Sequence, residues 1–233
     1  MHIGARMNNN SPIILAVDTT DVAQAKKWIA ATRDSVEIYK FGLEFFLKFG
    51  SEIIDNLQRE FGFRLFLDLK LHDIPNTVTG ACKNLQMVNP FFLTVHASGG
   101  SKMVAAAVAA LPNTAITGVT ILTSLDDSEV LKIGFVKPAL ESAVNLAHIA
   151  ISGGARAIVC SPLEVAAIRS SIPSEIALIT PGVRPEGSAS GDQSRTMTPA
   201  LAIENGADYL VIGRPITGAD DPSSAAAAIL ASL

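Results

Sequence analysis

The sequence predicts a single-domain α/β protein, a (β/α)8 barrel spanning residues 11–233. Three observations carry that expectation. Short apolar runs alternate with helical stretches along the whole chain, eight such units fit into 233 residues, and no linker or shift of composition divides them. The runs are continuously apolar, as parallel strands covered on both faces are. Eight units favour a closed barrel over an open doubly wound sheet.

The units follow in order. PIILAVD (12–18) precedes a helix opened by TTDVAQAKKWIAAT, and VEIYK (36–40) precedes GLEFFLKFGSEIIDNLQREF, where apolar residues recur at helical spacing. RLFLDLK (64–70) leads to IPNTVTGACKNLQMV, with Pro75 tolerated near a helix start. FFLTVH (91–96) precedes an Ala-rich helix over 101–111. TAITGVTIL (114–122) leads through a loop to PALESAVNLAHIAISG, and RAIVC (156–160) to PLEVAAIRSS. EIALITPGV (175–183) is followed by a long Gly/Ser-rich loop and a short helix at 198–205; DYLVIG (208–213) precedes DPSSAAAAILASL. Residues 1–10 carry no apolar signal core and are expected to be a disordered leader, with Met7 an alternative start.

The composition fits a well-buried globular domain, 48 % hydrophobic and 17 % charged. A net charge of −4 argues against nucleic acid as a partner, and no apolar run is long enough to span a bilayer. A cytoplasmic home follows as the default. Cys82 and Cys160 form no CxxC or CxxH pattern and read as buried free thiols.

In such barrels the reactive groups sit at the C-terminal ends of the strands. The stretch RLFLDLKLHDIPNTV places Asp68, Lys70 and Asp73 within six residues at such an end. Side chains alternate along a strand, so Asp68 and Lys70 share a face that can look into the barrel mouth. Lys40 closes the neighbouring run, and the four charges are expected to form one array. A set of salt bridges that only closes the barrel is the structural alternative, but desolvating four charges for stability alone is unfavourable. Clustered ionisable groups in a cleft are the usual mark of proton chemistry.

A second polar concentration lies towards the C-terminus, in TPGVRPEGSASGDQSR (180–195) and VIGRPI (211–216). The loops after strands seven and eight are the common phosphate site of this fold. Gly213 lets a backbone N–H approach an anion, Arg214 can donate a bidentate pair, and Arg184 and Gln193 can close the loop over it.

These residues carry a resemblance. FLDLKLHDIPNTV resembles the active-site signature of the orotidine 5′-phosphate decarboxylase family of the bacterial type, a D-x-K-x-x-D motif followed by I-P-N-T. LAVD, YKFGLEFF, TILTS, TPGVRP…GDQSR and VIGRPI are similar to further segments of that family, so the resemblance covers nearly the whole chain. It implies decarboxylation of orotidine 5′-phosphate to UMP, without cofactor or metal, in the last step of de novo pyrimidine synthesis. Lys70 is implied as the proton donor to C6, Asp68 as the neighbour of the substrate carboxylate, and Lys40 as the tie between the charges and the ribose. Asp73 and Thr77 are implied to reach the neighbouring subunit's site in a homodimer. Asp18 is implied to hold ribose hydroxyls, Thr123 or Ser124 to meet the pyrimidine, and Arg184, Gln193, Gly213 and Arg214 to hold the phosphate.

Other polar residues are expected to stand aside. His72 reads as a structural hydrogen-bonding group and His96 as a residue of the mouth without a chemical part. His2, His148, Glu44 and Glu52 read as bystanders, and no group of His, Cys and acids has metal-ligand spacing. Two alternatives share parts of the pattern: a Mg²⁺-dependent sugar-phosphate decarboxylase or aldolase of the same barrel type, and a non-catalytic phosphometabolite-binding module. LTS and IPNT argue against the first.

Overall fold

Each apolar run becomes a strand whose neighbours on both sides are parallel. A computed structural model describes residues 11–184 and 197–233. The expected leader (1–10) and most of the Gly/Ser-rich loop, with Gln193, lie outside the described residues. The strands are β1 (Ile13–Ala16), β2 (Ile38–Gly42), β3 (Arg64–Leu71), β4 (Phe92–His96), β5 (Ala115–Val119), β6 (Ala157–Val159), β7 (Ala177–Pro181) and β8 (Tyr209–Ile212). They pair in sequence order and close into a barrel, β1 pairing with β8 through Ile13–Leu210, Ile14–Val211 and Leu15–Ile212.

Around the sheet run α1 (Val22–Thr32), α2 (Leu43–Phe61), α3 (Pro75–Asn84), α4 (Ser101–Ala110), α5 (Asp127–Lys132), α6 (Ala139–Ser152), α7 (Val165–Ser171), α8 (Pro199–Glu204), α9 (Arg214–Thr217) and α10 (Pro222–Ala231). Asp21 caps α1, its carboxylate accepting from the N–H groups of Ala23 and Gln24. Gly62 ends α2 in the left-handed region. That helix is broken in its first half, where Gly50 takes φ 71°. Two short helices, α5 and α9, lie in segments that the sequence leaves as loop.

The period-two alternation of each strand sorts its side chains into two cores. One set packs between sheet and helices, including Leu15, Phe41, Leu67, Val95 and Leu178. The other fills the barrel, with Ile14, Ile38, Phe66, Phe92, Ala157 and Ile179 buried. Phe92 meets Phe66 and Tyr209 edge-on, with centroids 5.6 and 5.5 Å apart. This plug makes the interior solid up to the level of Phe66. Side chains two residues further along the strands therefore form the floor of the mouth.

Candidate active site

Continuing the interior alternation upwards places Asp18 beyond β1, Lys40 in β2, and Asp68 and Lys70 in β3. All four line a cavity of about 630 Å³ at the C-terminal mouth, a size suited to a small-molecule ligand. Lys70 Nζ donates to both oxygens of Asp68, at 2.8 and 2.9 Å. Lys40 Nζ stands 3.5 Å from Asp68 Oδ2 and 3.4 Å from Asp18 Oδ1. The sequence Asp18–Lys40–Asp68–Lys70 thus alternates in charge across three strands.

Burial opposes the charge on Lys40, but Asp68 and Asp18 outweigh it and hold its pKa above the ordinary lysine value. Burial likewise opposes ionisation of Asp68. Lys40 and Lys70, with hydrogen bonds from Lys70 and Thr94, more than offset it and hold the carboxyl below its usual range. Both groups are therefore ionised together at neutral pH, each the reason for the other's charge.

The array differs in one member from the expected one. Asp73 lies beyond the strand, exposed in the turn before α3, with Oδ1 accepting from the N–H of Ile74 at 2.6 Å. The chain leaves the barrel at Leu71, so Asp73 cannot follow the interior alternation. Asp18 supplies the fourth charge within the chain. Thr77 is exposed on the first turn of α3, outside the cavity lining.

The backbone of β3 is irregular here. Leu67 pairs with Leu93 and Leu71 with Val95, so three residues of β3 face Thr94 alone. Lys70 takes φ 49° in this bulge. Its N–H donates to Thr94 Oγ1 at 2.8 Å, and that hydroxyl donates to Asp68 Oδ1 at 2.9 Å. Thr94 is the residue that sequence reasoning missed. Its signal was a polar side chain at an interior position of the apolar run FFLTVH.

The opposite rim is cationic. Gly182 turns the chain out of β7 at φ 81°. Val183 bridges Met197, and Arg184 N–H donates to Met197 O at 2.9 Å, which ties the end of the β7 segment to the residue that leads into α8. Arg184, Gly213 and Arg214 line the cavity, and so does Thr123, whereas Ser124 is exposed and outside the lining. Cys160 lines it as well and is a buried free thiol, its pKa raised chiefly by burial; Cys82 is also free and buried.

None of the described histidines joins the array, and His2 lies outside the described residues. His72 is exposed, with its ring 5.3 Å from that of half-buried His96. Burial, then His72 and Lys70, push His96 below its ordinary pKa and favour the neutral ring. His148, Glu44 and Glu52 are exposed on helices. Among the described residues no three His, Cys, Asp or Glu side chains group to hold a metal ion, and no helix is long and apolar enough to cross a membrane.

Fold and mouth together define a class: a (β/α)8 barrel enzyme that sets an alternating lysine–aspartate array, anchored on buried Lys40, opposite a cationic, glycine-bearing rim. Within that class the chain belongs to the Orotidine 5′-phosphate decarboxylase / HUMPS family, whose model matches residues 11–229. It is 50 % identical to the orotidine 5′-phosphate decarboxylase of Thermobifida fusca (strain YX), over 96 % of each chain. Identity to the enzyme of that name from Frankia casuarinae is 44 %, covering 96 % of this chain and 88 % of the relative. The crystal structure of orotidine 5′-phosphate decarboxylase from Lactobacillus acidophilus superposes with a TM-score of 0.82 at 36 % identity, covering 94 % of this chain and 97 % of that one.

Proposed function

We propose that the protein decarboxylates orotidine 5′-phosphate to UMP, with Lys70 as the proton donor. The observation that carries this reading is the Asp18–Lys40–Asp68–Lys70 array at the mouth of a barrel of this family. In the reaction the bond from C6 to the carboxylate breaks, its electron pair stays on C6, and CO₂ departs. Nζ of Lys70 then gives its proton to C6. A fixed ammonium beside the developing carbanion stabilises charge that water would solvate less effectively in a closed site. The same group ends the reaction as general acid. Asp68 holds that ammonium in place, and Lys40 holds Asp68.

The remaining roles are those the family resemblance implies. Asp18 and Lys40 take the ribose hydroxyls, Thr123 the pyrimidine, and Arg184, Gln193, Gly213 and Arg214 the phosphate. Contacts remote from C6 align the base and exclude water, so their binding energy appears in the rate. Asp73 and Thr77 complete the site of a second subunit in a homodimer. Their exposure together with Leu43, Leu47 and Ile74 supports a face that another protomer covers. The enzyme works in the cytoplasm on a free nucleotide.

Purified protein mixed with orotidine 5′-phosphate in EDTA, followed by ultraviolet absorbance and CO₂ release, tests the reading. Conversion to UMP without added metal is the expected result. Folded protein that converts nothing, beside an active control decarboxylase, refutes it and directs the search to sugar phosphates with Mg²⁺.

A further inference from the structure

We infer that Thr94 is a positioning residue for Lys70, a one-hydroxyl bridge that fixes both the bulged backbone and the carboxylate on which the ammonium is aimed. The inference rests on the proposed decarboxylation, since aiming matters only where Lys70 does chemistry.

The bulge sets three residues of β3 against one of β4, which takes the N–H of Lys70 out of the regular ladder. A polar backbone group in such a place must find another partner or lose stability. Thr94 Oγ1 is that partner at 2.8 Å, and Thr94 is only 1 % exposed. A hydroxyl that accepts here has one proton to give, and it gives it to Asp68 Oδ1 at 2.9 Å.

Direction is therefore fixed along the path from Lys70 N–H through Thr94 to Asp68. Asp68 Oδ1 also accepts from Lys70 Nζ at 2.8 Å, so backbone, hydroxyl, carboxylate and ammonium close a ring that begins and ends on the same residue. Lys40 draws on Oδ2 of Asp68 from the other side, 3.5 Å away. Without Thr94 the carboxylate keeps its two lysines but loses the neutral hydroxyl that ties its Oδ1 to β4. Lys70 then loses the anchor of a left-handed backbone. The charges remain; their placement does not.

The test compares wild type with Thr94→Val, Thr94→Ala and Thr94→Ser, measuring orotidine 5′-phosphate turnover, UMP affinity and thermal unfolding. Val and Ala are expected to lower kcat by about 10- to 100-fold through misplacement alone. KM and UMP affinity should stay within about threefold, because the phosphate and ribose contacts are untouched. Thr94→Ser should restore most of the rate. Loss of kcat without rescue by Ser, or Val and Ala as active as wild type, overturns the inference.

Amide exchange of Lys70 in the wild-type protein gives a reading free of turnover and of any variant's folding. Slow exchange in D₂O is expected for a bridged N–H, and exchange at the rate of exposed turn amides overturns the bridge. Wild type that leaves orotidine 5′-phosphate unchanged defeats the proposed function, while a protected Lys70 amide still supports the bridge itself.

Discussion

Lys70 occupies a backbone conformation better suited to glycine. At φ 49° an L-residue is disfavoured by about 1–2 kcal/mol. Lys70→Ala and Lys70→Gly both remove the ammonium and are expected to lose turnover by many orders of magnitude while still binding UMP. They should differ in stability. Relief of the left-handed strain favours Gly, and its greater freedom in the unfolded chain offsets part of that, leaving Gly more stable than Ala by about 0.5–1 kcal/mol. Chemical denaturation of the two variants measures the difference; an Ala variant at least as stable as Gly would show that the backbone relaxes. Sequence alternation placed Asp68 and Lys70 on one face, and the structure agrees. Thr94 was visible as a polar side chain inside FFLTVH, but the bulge that gives it a task was not, because a bulge depends on the pairing of two strands and not on either alone. Within one chain Asp73 stands apart from the array, whereas Asp18 reaches it through the barrel from 50 residues upstream of Asp68.

The strands were legible because their apolar runs are long enough to bury on both faces. The short helices were not: α5 has six residues and α9 four, too few for a periodic signal. Boundaries moved as well. VEIYK was expected to end at Lys40, but β2 continues to Gly42, since pairing with β3 carries it two residues further. Gly118 shows an element-scale constraint that the sequence does signal, a lone glycine inside a strand. A Cβ there would stand 2.5 Å from Ala150 Cβ of α6 and 3.3 Å from Ile158 Cδ1. Gly118→Ala is expected to push α6 away from β5 and destabilise the protein by about 1–3 kcal/mol. A thermal unfolding midpoint equal to that of wild type would mean that helix and strand separate at no cost.

At the scale of the molecule, the site draws its two halves from opposite parts of the chain. The charged array comes from β1 to β3 and the cationic rim from the ends of β7 and β8. The alternating pattern of the sequence foretold this division, since in a closed barrel the first and last strands are neighbours. The surface of the proposed dimer was not legible in composition, because barrel helices are apolar on their inner faces anyway. Subunit mixing tests the proposed dimer. Lys70→Ala and Asp73→Ala proteins, each inactive, are expected to recover activity when exchanged into heterodimers, in which one of the two sites is intact. Confirmed exchange with no recovery would confine Asp73 to its own chain.

Closure has a further consequence for how the chain must be handled. Each of the eight strands has a partner on both sides, so the finished sheet offers no hydrogen-bonding edge for another molecule to extend. Before β8 meets β1 the opposite holds. Two uncharged apolar segments, IILA and YLVI, then present unpaired backbones. Intermolecular strand addition competes with closure at that stage. Yield on refolding is accordingly expected to rise with dilution, which refolding at graded protein concentrations measures.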